Sequence, residues 1–584
     1  MTLDMKITGA TIVDGSGRAP FTGDIGVKDG LIAEIGRITG AAHRSISADG
    51  ALLLPGFIDP HTHYDGQALW DEELLPSCRH GVTTAFFGNC GVGFAPLVPG
   101  HHQDLVSLMV GVEDIPASVL EAGLDWNWES YPDYLDRLSA RQWPIDIAAQ
   151  ITHDPVRIYA MGERALRREP ATDEDIAKMR AIVSSALGAG AYGFSTGRND
   201  QHRMADGRDT PASKASAREL VGIAESLRGH GHRVLQLTSD FDMNSGPAAF
   251  DVELDVIEQM VKAARRPVCL NLVQRPADRD QWRVLMRHAV EVAGKGIEIT
   301  FQVAPRAIGV LMGLNSSFHP FVGHRAYQPI AQLPKDERVK ALRDPTLRAR
   351  ILAERPAANA GEGSAIAPFF VSLLQAMETH SANIFPDRGS RNYEPTYDDS
   401  LQAEARRRGI SEIEMAYDAL LERDGDALLY WPVVNYGSGN LDYVREMLLH
   451  PRAILGLGDA GAHLNNTTDY SFPTFALSFW PSARVVGPRL PLERMVRLMT
   501  GAQAEHFGLT DRGLIESGRR ADLNLIDQAR LAVKEVRVVR DLPSGGKRLL
   551  QESQGYLATF KRGTAIVEND ELTGARPGRL MRAC

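Results

Sequence analysis

The sequence predicts a (βα)8 TIM barrel carrying a small β-sandwich formed from both chain ends. Between residues 52 and 463, eight apolar strand-like runs alternate with helical stretches, the pattern of a parallel α/β fold. About eight such units over roughly 400 residues is a barrel count with insertions. Both chain ends read as short strands broken by Gly and Asp turns, and chain ends often lie close together. The expected division is 1–54 for the first part of the sandwich, 55–505 for the barrel, and 506–584 for the rest of the sandwich and a tail.

Taken in order, "MKITGATIVDGSG", "GDIGVKDGLIAEIG" and "RSISADGALLLPG" give the N-terminal strands. The barrel strands are expected at 52–63, 81–91, 145–154, 190–197, 233–240, 267–274, 298–305 and 453–463. Helices are expected between most of them, as in "DEDIAKMRAIVSSALGAG" (173–190) and "SARELVGIAESLRGHG" (216–231). A structureless loop over 306–452 is improbable at that length. The segment therefore predicts a helical insertion over the barrel mouth, with helices in 334–354 and 410–426. "GLIESGRRADLNLIDQ" (513–528) and "VKEVRVVRD" (533–541) return to β character.

Composition narrows the function classes. Apolar residues at 43% and charged residues at 24% are ordinary for a globular protein. A net charge of −10, with no basic stripe, argues against a nucleic-acid partner. No apolar run reaches the ~20 residues that span a bilayer, and the first residues do not read as a signal peptide. Four scattered cysteines do not make a disulfide framework. A cytoplasmic enzyme, expected to be a homo-oligomer, is the resulting expectation.

Barrel active sites form at the strands' C-terminal ends. In "PGFIDPHTHYDG" (55–66), His61 and His63 stand two apart, so strand alternation sends both rings to one face, where they can close on one ion. The other strand ends offer Cys90, His153, Ser195 with Thr196, Ser239 with Asp240, Asn271 and Gln274, Gln302, and Asp459. Burying such groups unpaired costs roughly 2–7 kcal/mol each, so they need a metal and substrate, or one another. "GFSTG" fits the G-x-S-x-G spelling, but a barrel strand end is the wrong setting for a nucleophile elbow and no oxyanion loop accompanies it.

"PGFIDPHTH", "GVTTAFFGNCG", "GLGDAGAH" and the closing "FGLTDRGLIESGRRADLNLID" together resemble the amidohydrolase superfamily, and within it the N-acyl-D-amino-acid deacylase (D-aminoacylase) branch. The similarity runs nearly the whole length. It implies a metal-dependent (βα)8 hydrolase of amide C–N bonds. His61 and His63 match the first-strand metal ligands, and Cys90 matches the metal-binding cysteine. Asp459 matches the eighth-strand aspartate that moves a proton from the attacking water to the leaving nitrogen. His153, in "THDPVR", resembles the histidine of the Gly-His-x-x-Leu-Arg turn, with Thr152 and Val156 departing from that pattern and Arg157 keeping it.

Those relatives also carry a metal-binding histidine at the fifth and sixth strand ends. Here "QLTSDFD" and "LNLVQR" hold none. One Zn2+ rather than two is therefore expected, held by His61, His63 and Asp459, with Asp240 or Cys90 completing the shell. A small-molecule amide substrate is expected to meet His153, His202, Arg203 and His463, and Arg198, Arg203 or Arg208 offers a fork for a carboxylate. Two alternatives stand beside this reading: hydrolysis of a cyclic amide, lactone or ester on the same barrel, or a metal-free barrel acting as a binding protein.

Overall fold

Runs rich in Val, Ile, Leu and Phe become parallel strands because helices cover their outer face, which removes apolar side chains from water on both sides. In the computed structural model, which describes residues 2–199, 201–239, 241, 247–275, 278–316, 318–354, 377 and 380–584, every expected barrel strand is present. They are Phe57–Asp59, Val82–Phe87, Asp146–Ala149 continued by Ile151–Thr152, Gly193–Arg198, Val234–Ser239, Val268–Asn271, Ile299–Val303 and Ala453–Leu455. Neighbouring strands pair in parallel. The barrel closes where Thr62 bridges Ala460, with the Asp459 N–H donating to the His61 carbonyl at 3.1 Å and the His63 N–H to the Ala460 carbonyl at 2.8 Å. The closing seam thus runs through the predicted metal ligands.

Local signals start the helices where the sequence placed them. Thr172 and Asp175 form a reciprocal capping box that opens Asp173–Gly188, and Ser216 caps Ala217–Ala224. Within 334–354 the expected helix is two, Lys335–Leu342 and Pro345–Ala353. Pro345 lacks the N–H that would continue the first, and the Asp344 carboxylate caps the second.

Both chain ends contribute to one nine-stranded sheet. Leu523–Ile526 lies between Leu52–Pro55 and Tyr556–Lys561, while Leu3–Ile12 pairs on the other side of Leu52–Pro55. Ile7, Ile25, Leu53, Leu523 and Phe560 share its core. Lys561 fastens this β-domain to the barrel: its buried ammonium lies 2.7 Å from both Asp146, on the third barrel strand, and Asp522.

Two segments differ from expectation. Residues 533–541 do not join that sheet. Ala532–Val539 instead pairs with Arg548–Gln554 as a separate antiparallel ribbon. The insertion is not wholly helical either, because Leu428–Val434 pairs with Ile308–Gly313 and Phe385–Asp387. Periodicity alone does not separate a short apolar strand from a buried helix, and "LLYWPVV" is rich in strand-favouring side chains. Leu549, Val536 and Val538 of the ribbon pack on Leu311, Leu428 and Tyr430 of this small sheet. Each partner then grips the loop after the eighth strand: the Leu311 N–H donates to the Asn466 carbonyl and the Leu549 N–H to the Leu464 carbonyl, both at 2.7 Å. Among the described residues no helix is long and apolar enough to cross a membrane.

Candidate metal centre

The extended segment beyond the first strand places His61 and His63 as alternation requires, both buried, ring centroids 5.4 Å apart. Cys90 arrives from the turn after the second strand. His61, His63 and Cys90 offer ligand atoms all within 4.8 Å of one another. His61 Nε2 lies 3.3 Å from Cys90 Sγ and 3.3 Å from Asp459 Oδ1, and His63 Nε2 lies 3.9 Å from the same oxygen. The four residues predicted as ligands from strands one, two and eight therefore meet. Asp240 lies outside the described residues.

The backbone is bent to achieve this. Cys90 (φ 57°), Asp459 (φ 48°) and His463 (φ 47°) all occupy the left-handed region, uncommon for residues with a Cβ and typical of sites where geometry is over-determined. Next to Cys90, Gly91 (φ 79°) is required: a Cβ there would sit 2.5 Å from the Gly197 nitrogen.

Hydrogen bonds orient the donors. His61 Nδ1–H donates to Gln302 Oε1 at 2.5 Å, which leaves Nε2 with its lone pair facing Cys90 and Asp459. Thr238 Oγ1 accepts from Asn271 Nδ2 at 2.9 Å and Gln236 Nε2 at 3.1 Å, so its own proton points to Cys90 Sγ at 3.3 Å. The Cys90 N–H donates to Gln236 Oε1 at 2.9 Å. Burial pushes the Cys90 thiol well up, as do the Glu113 and Asp459 carboxylates, while Thr238 acts in the opposite direction. Burial also holds His61 and His63 below the usual histidine range, hence neutral, the form that ligates. The donor set is chemically suited to Zn2+, and the His63 Nδ1, buried without a hydrogen-bond partner, leaves that ring uncommitted on one side.

At the ends of the fifth and sixth strands, Thr238, Gln236 and Asn271 form a neutral hydrogen-bonded network beside the Cys90 sulfur. Gln274 is turned elsewhere. Its N–H donates to Asn435 Oδ1 at 2.7 Å and its Oε1 accepts from the Gly437 N–H at 2.9 Å, fixing the insertion.

Two of the residues expected to meet substrate are engaged by other protein groups. His153 is fully buried with both ring nitrogens committed, Nδ1 to Thr196 Oγ1 at 2.8 Å and Nε2 to Glu219 Oε1 at 3.1 Å. Glu219 also accepts from Arg157 Nε at 2.8 Å, so the histidine and the arginine together satisfy a buried carboxylate. Arg203 closes its own loop, paired with Asp209 at 2.5 Å. Arg198 forks onto Glu253 at 2.6 and 2.9 Å, and Arg208 pairs with Asp206. Arg203 and Arg208 find carboxylates within their own loop, while Arg198, at the end of the fourth strand, reaches Glu253 on the helix Pro247–Ala264. His202 and His463 do border the site. His202 is half-buried and lowered to about 4, by burial and then by the neighbouring His463, Arg203 and His61. His463 is 27% exposed, its Nε2 3.7 Å from Glu113 Oε2.

Glu113 was missed by sequence reasoning. It ends the helix His102–Glu113, is buried, and places Oε2 3.4 Å from His63 Nε2. The available signal was a carboxylate at a helix C-terminus, where the macrodipole disfavours it, after the apolar run "LVSLMVGV".

Comparison with known proteins agrees with this architecture. The amidohydrolase family model matches residues 44–567. An N-acyl-D-aspartate deacylase of Alcaligenes xylosoxydans xylosoxydans is 26% identical over 585 residues, covering 99% of this chain and 95% of its own. The crystal structure of an N-acyl-D-glutamate deacylase from Bordetella bronchiseptica, complexed with zinc and a phosphonate inhibitor, superposes with a TM-score of 0.64 at 22% identity over the whole of both chains. A D-aminoacylase described with a binuclear metal centre gives 0.63 at 22% identity, covering 99% of this chain and 100% of its own. The TIM barrel with a β-domain is the fold these solved structures share with it, and the match to the family model over most of its length places the chain in the amidohydrolase family.

Proposed function

We propose that this hydrolase is a Zn2+-dependent deacylase that cleaves the amide C–N bond of N-acyl-D-amino acids. The observation that carries the reading is His61 Nε2 equidistant, at 3.3 Å, from Cys90 Sγ and Asp459 Oδ1 at the mouth of the barrel. The D-amino-acid class is taken from the full-length similarity to N-acyl-D-aspartate deacylase.

His61, His63, Cys90 and Asp459 are the residues that would hold the ion. When bound, Zn2+ polarises the acyl carbonyl and brings the pKa of water towards ~7. Asp459, 20% exposed and so open to the mouth, takes the proton of the attacking water and delivers it to the leaving amine nitrogen, as a general base and then acid. His202, neutral at pH 7, offers an N–H to the developing oxyanion from the rim. Thr238 and Asn271 keep the strand-five and strand-six side of the site occupied by protein hydrogen bonds, which favours one ion over two.

The test is hydrolysis of a panel of N-acetyl-D- and N-acetyl-L-amino acids by protein loaded with one equivalent of Zn2+. Amine release from D-substrates, abolished by chelation and restored by Zn2+, is expected. Failure on every N-acyl amino acid while lactones or cyclic amides turn over would replace this reading.

A further inference from the structure

The ligand atoms at the barrel mouth form a continuous row that extends past the four residues assigned above. From Cys90 Sγ the steps are 3.3 Å to His61 Nε2, 3.3 Å to Asp459 Oδ1, 3.9 Å to His63 Nε2, 3.4 Å to Glu113 Oε2 and 3.7 Å to His463 Nε2. Donors around one tetrahedral ion, with metal–ligand distances of about 2.0–2.3 Å, stand roughly 3.3–3.7 Å apart. The His63–Glu113 separation is of that size. Glu113 is 2% exposed, and among the described residues no Lys or Arg pairs with it. A carboxylate so placed has His63 and His463 beside it, feels the like charges of Asp459 and Asp65, and among the described residues meets no Lys or Arg.

A purely structural carboxylate in such surroundings is normally held by an arginine or by backbone N–H groups, as Glu219 and Glu394 are here by Arg157 and Arg484. Among the described residues the Glu113 carboxylate has neither kind of partner. Its backbone is fixed instead: the Glu113 carbonyl accepts from the His463 N–H at 2.7 Å, tying the end of the helix to the loop that carries Asp459.

We infer that Glu113 is itself a metal ligand, the donor this chain uses where its fifth and sixth strands provide none. The inference rests on the metal-dependent reading above. It moves the extra ligand from the strands to the helix following strand two, so it enters from the His63 side of the site rather than the Cys90 side.

The experiment compares wild type with Glu113→Gln, which keeps shape and removes charge. Zn2+ affinity is measured by competition with a chromophoric chelator, and the d–d spectrum of the Co2+-substituted protein reports the atoms bound directly to the ion. Glu113→Gln is expected to weaken Zn2+ binding by at least tenfold, with a changed Co2+ spectrum. Unchanged affinity, or a loss with an unchanged spectrum, overturns the inference. Should Glu113→Gln not fold, Glu113→Asp retains the charge with a retracted carboxylate, and a Co2+ spectrum identical to wild type then overturns it. If wild type itself binds no Zn2+, the metal-dependent reading fails; if wild type binds and the variant binds equally, only the role of Glu113 does.

Discussion

Gln302, at the seventh strand, holds His61 from behind: a 2.5 Å hydrogen bond from Nδ1–H to Oε1 fixes which ring nitrogen faces the site. Removing it with Gln302→Leu frees the ring to rotate and to change tautomer. Zn2+ affinity is expected to fall about 10–100-fold, read by chelator competition, with the melting temperature of the metal-free protein little changed. Equal affinity in the variant would show that the ring is positioned by packing alone.

Asp459 is assigned the proton transfer. Asp459→Asn keeps the size and an oxygen donor but cannot accept a proton at neutral pH. A loss of about 10^2–10^4 in kcat, with KM within a few-fold, is expected in steady-state deacylation. A variant retaining more than a tenth of wild-type kcat would move the base elsewhere.

Asp154 gives a pH signature outside the site. Burial raises its carboxyl to about 7, against the lowering effects of the Ala212 N–H at 2.6 Å and of Arg157. A carboxyl raised on folding stabilises most below its unfolded value, near 3.9, and that contribution is lost as pH climbs from about 4 through 7. Asp154→Asn removes the ionisation. The variant is expected to gain on the order of 1–3 kcal/mol relative to wild type between pH 5 and pH 8, in urea unfolding at each pH. A pH-independent difference would contradict the raised value.

Lys561 joins the β-domain to the barrel through Asp146 and Asp522. Lys561→Met leaves two buried carboxylates short of a cation, although Arg512 still reaches Asp146 at 2.8 Å. A loss of about 3–5 kcal/mol is expected in chemical unfolding. A loss below about 1 kcal/mol would mean that Arg512 suffices.

Gly91 carries the turn at Cys90. With φ at 79° and the Gly197 nitrogen 2.5 Å from any added Cβ, Gly91→Ala must displace backbone. Zn2+ binding is expected to weaken with Cys90 moved off the row, and the Co2+–thiolate absorption near the ultraviolet to drop. An unchanged thiolate band would show that the turn tolerates the shift.

The barrel was legible because its signals are local and periodic. Each of the eight strands is a short apolar run, and a two-residue spacing with strand geometry is enough to bring His61 and His63 to one face. The family motifs supplied Cys90 and Asp459, whose turns after strands two and eight could be placed once the strands were. The strand Leu428–Val434 was less legible because its partner Ile308–Gly313 is more than a hundred residues away. The ribbon Ala532–Val539, although it pairs with the next strand, takes its place from packing on Leu311, Leu428 and Tyr430.

By itself the sequence determined the fold class, the strand ends and the chemistry of the donors at three of them, because alternation and turn formation act over a few residues. Tertiary structure alone decided the rest. It drew His153 to Glu219, turned Thr238 towards the Cys90 sulfur, and set the Glu113 carboxylate beside His63. Those outcomes depend on which buried polar group finds a partner first in three dimensions, and the cost of leaving such a group unpaired is settled by neighbours distant in sequence.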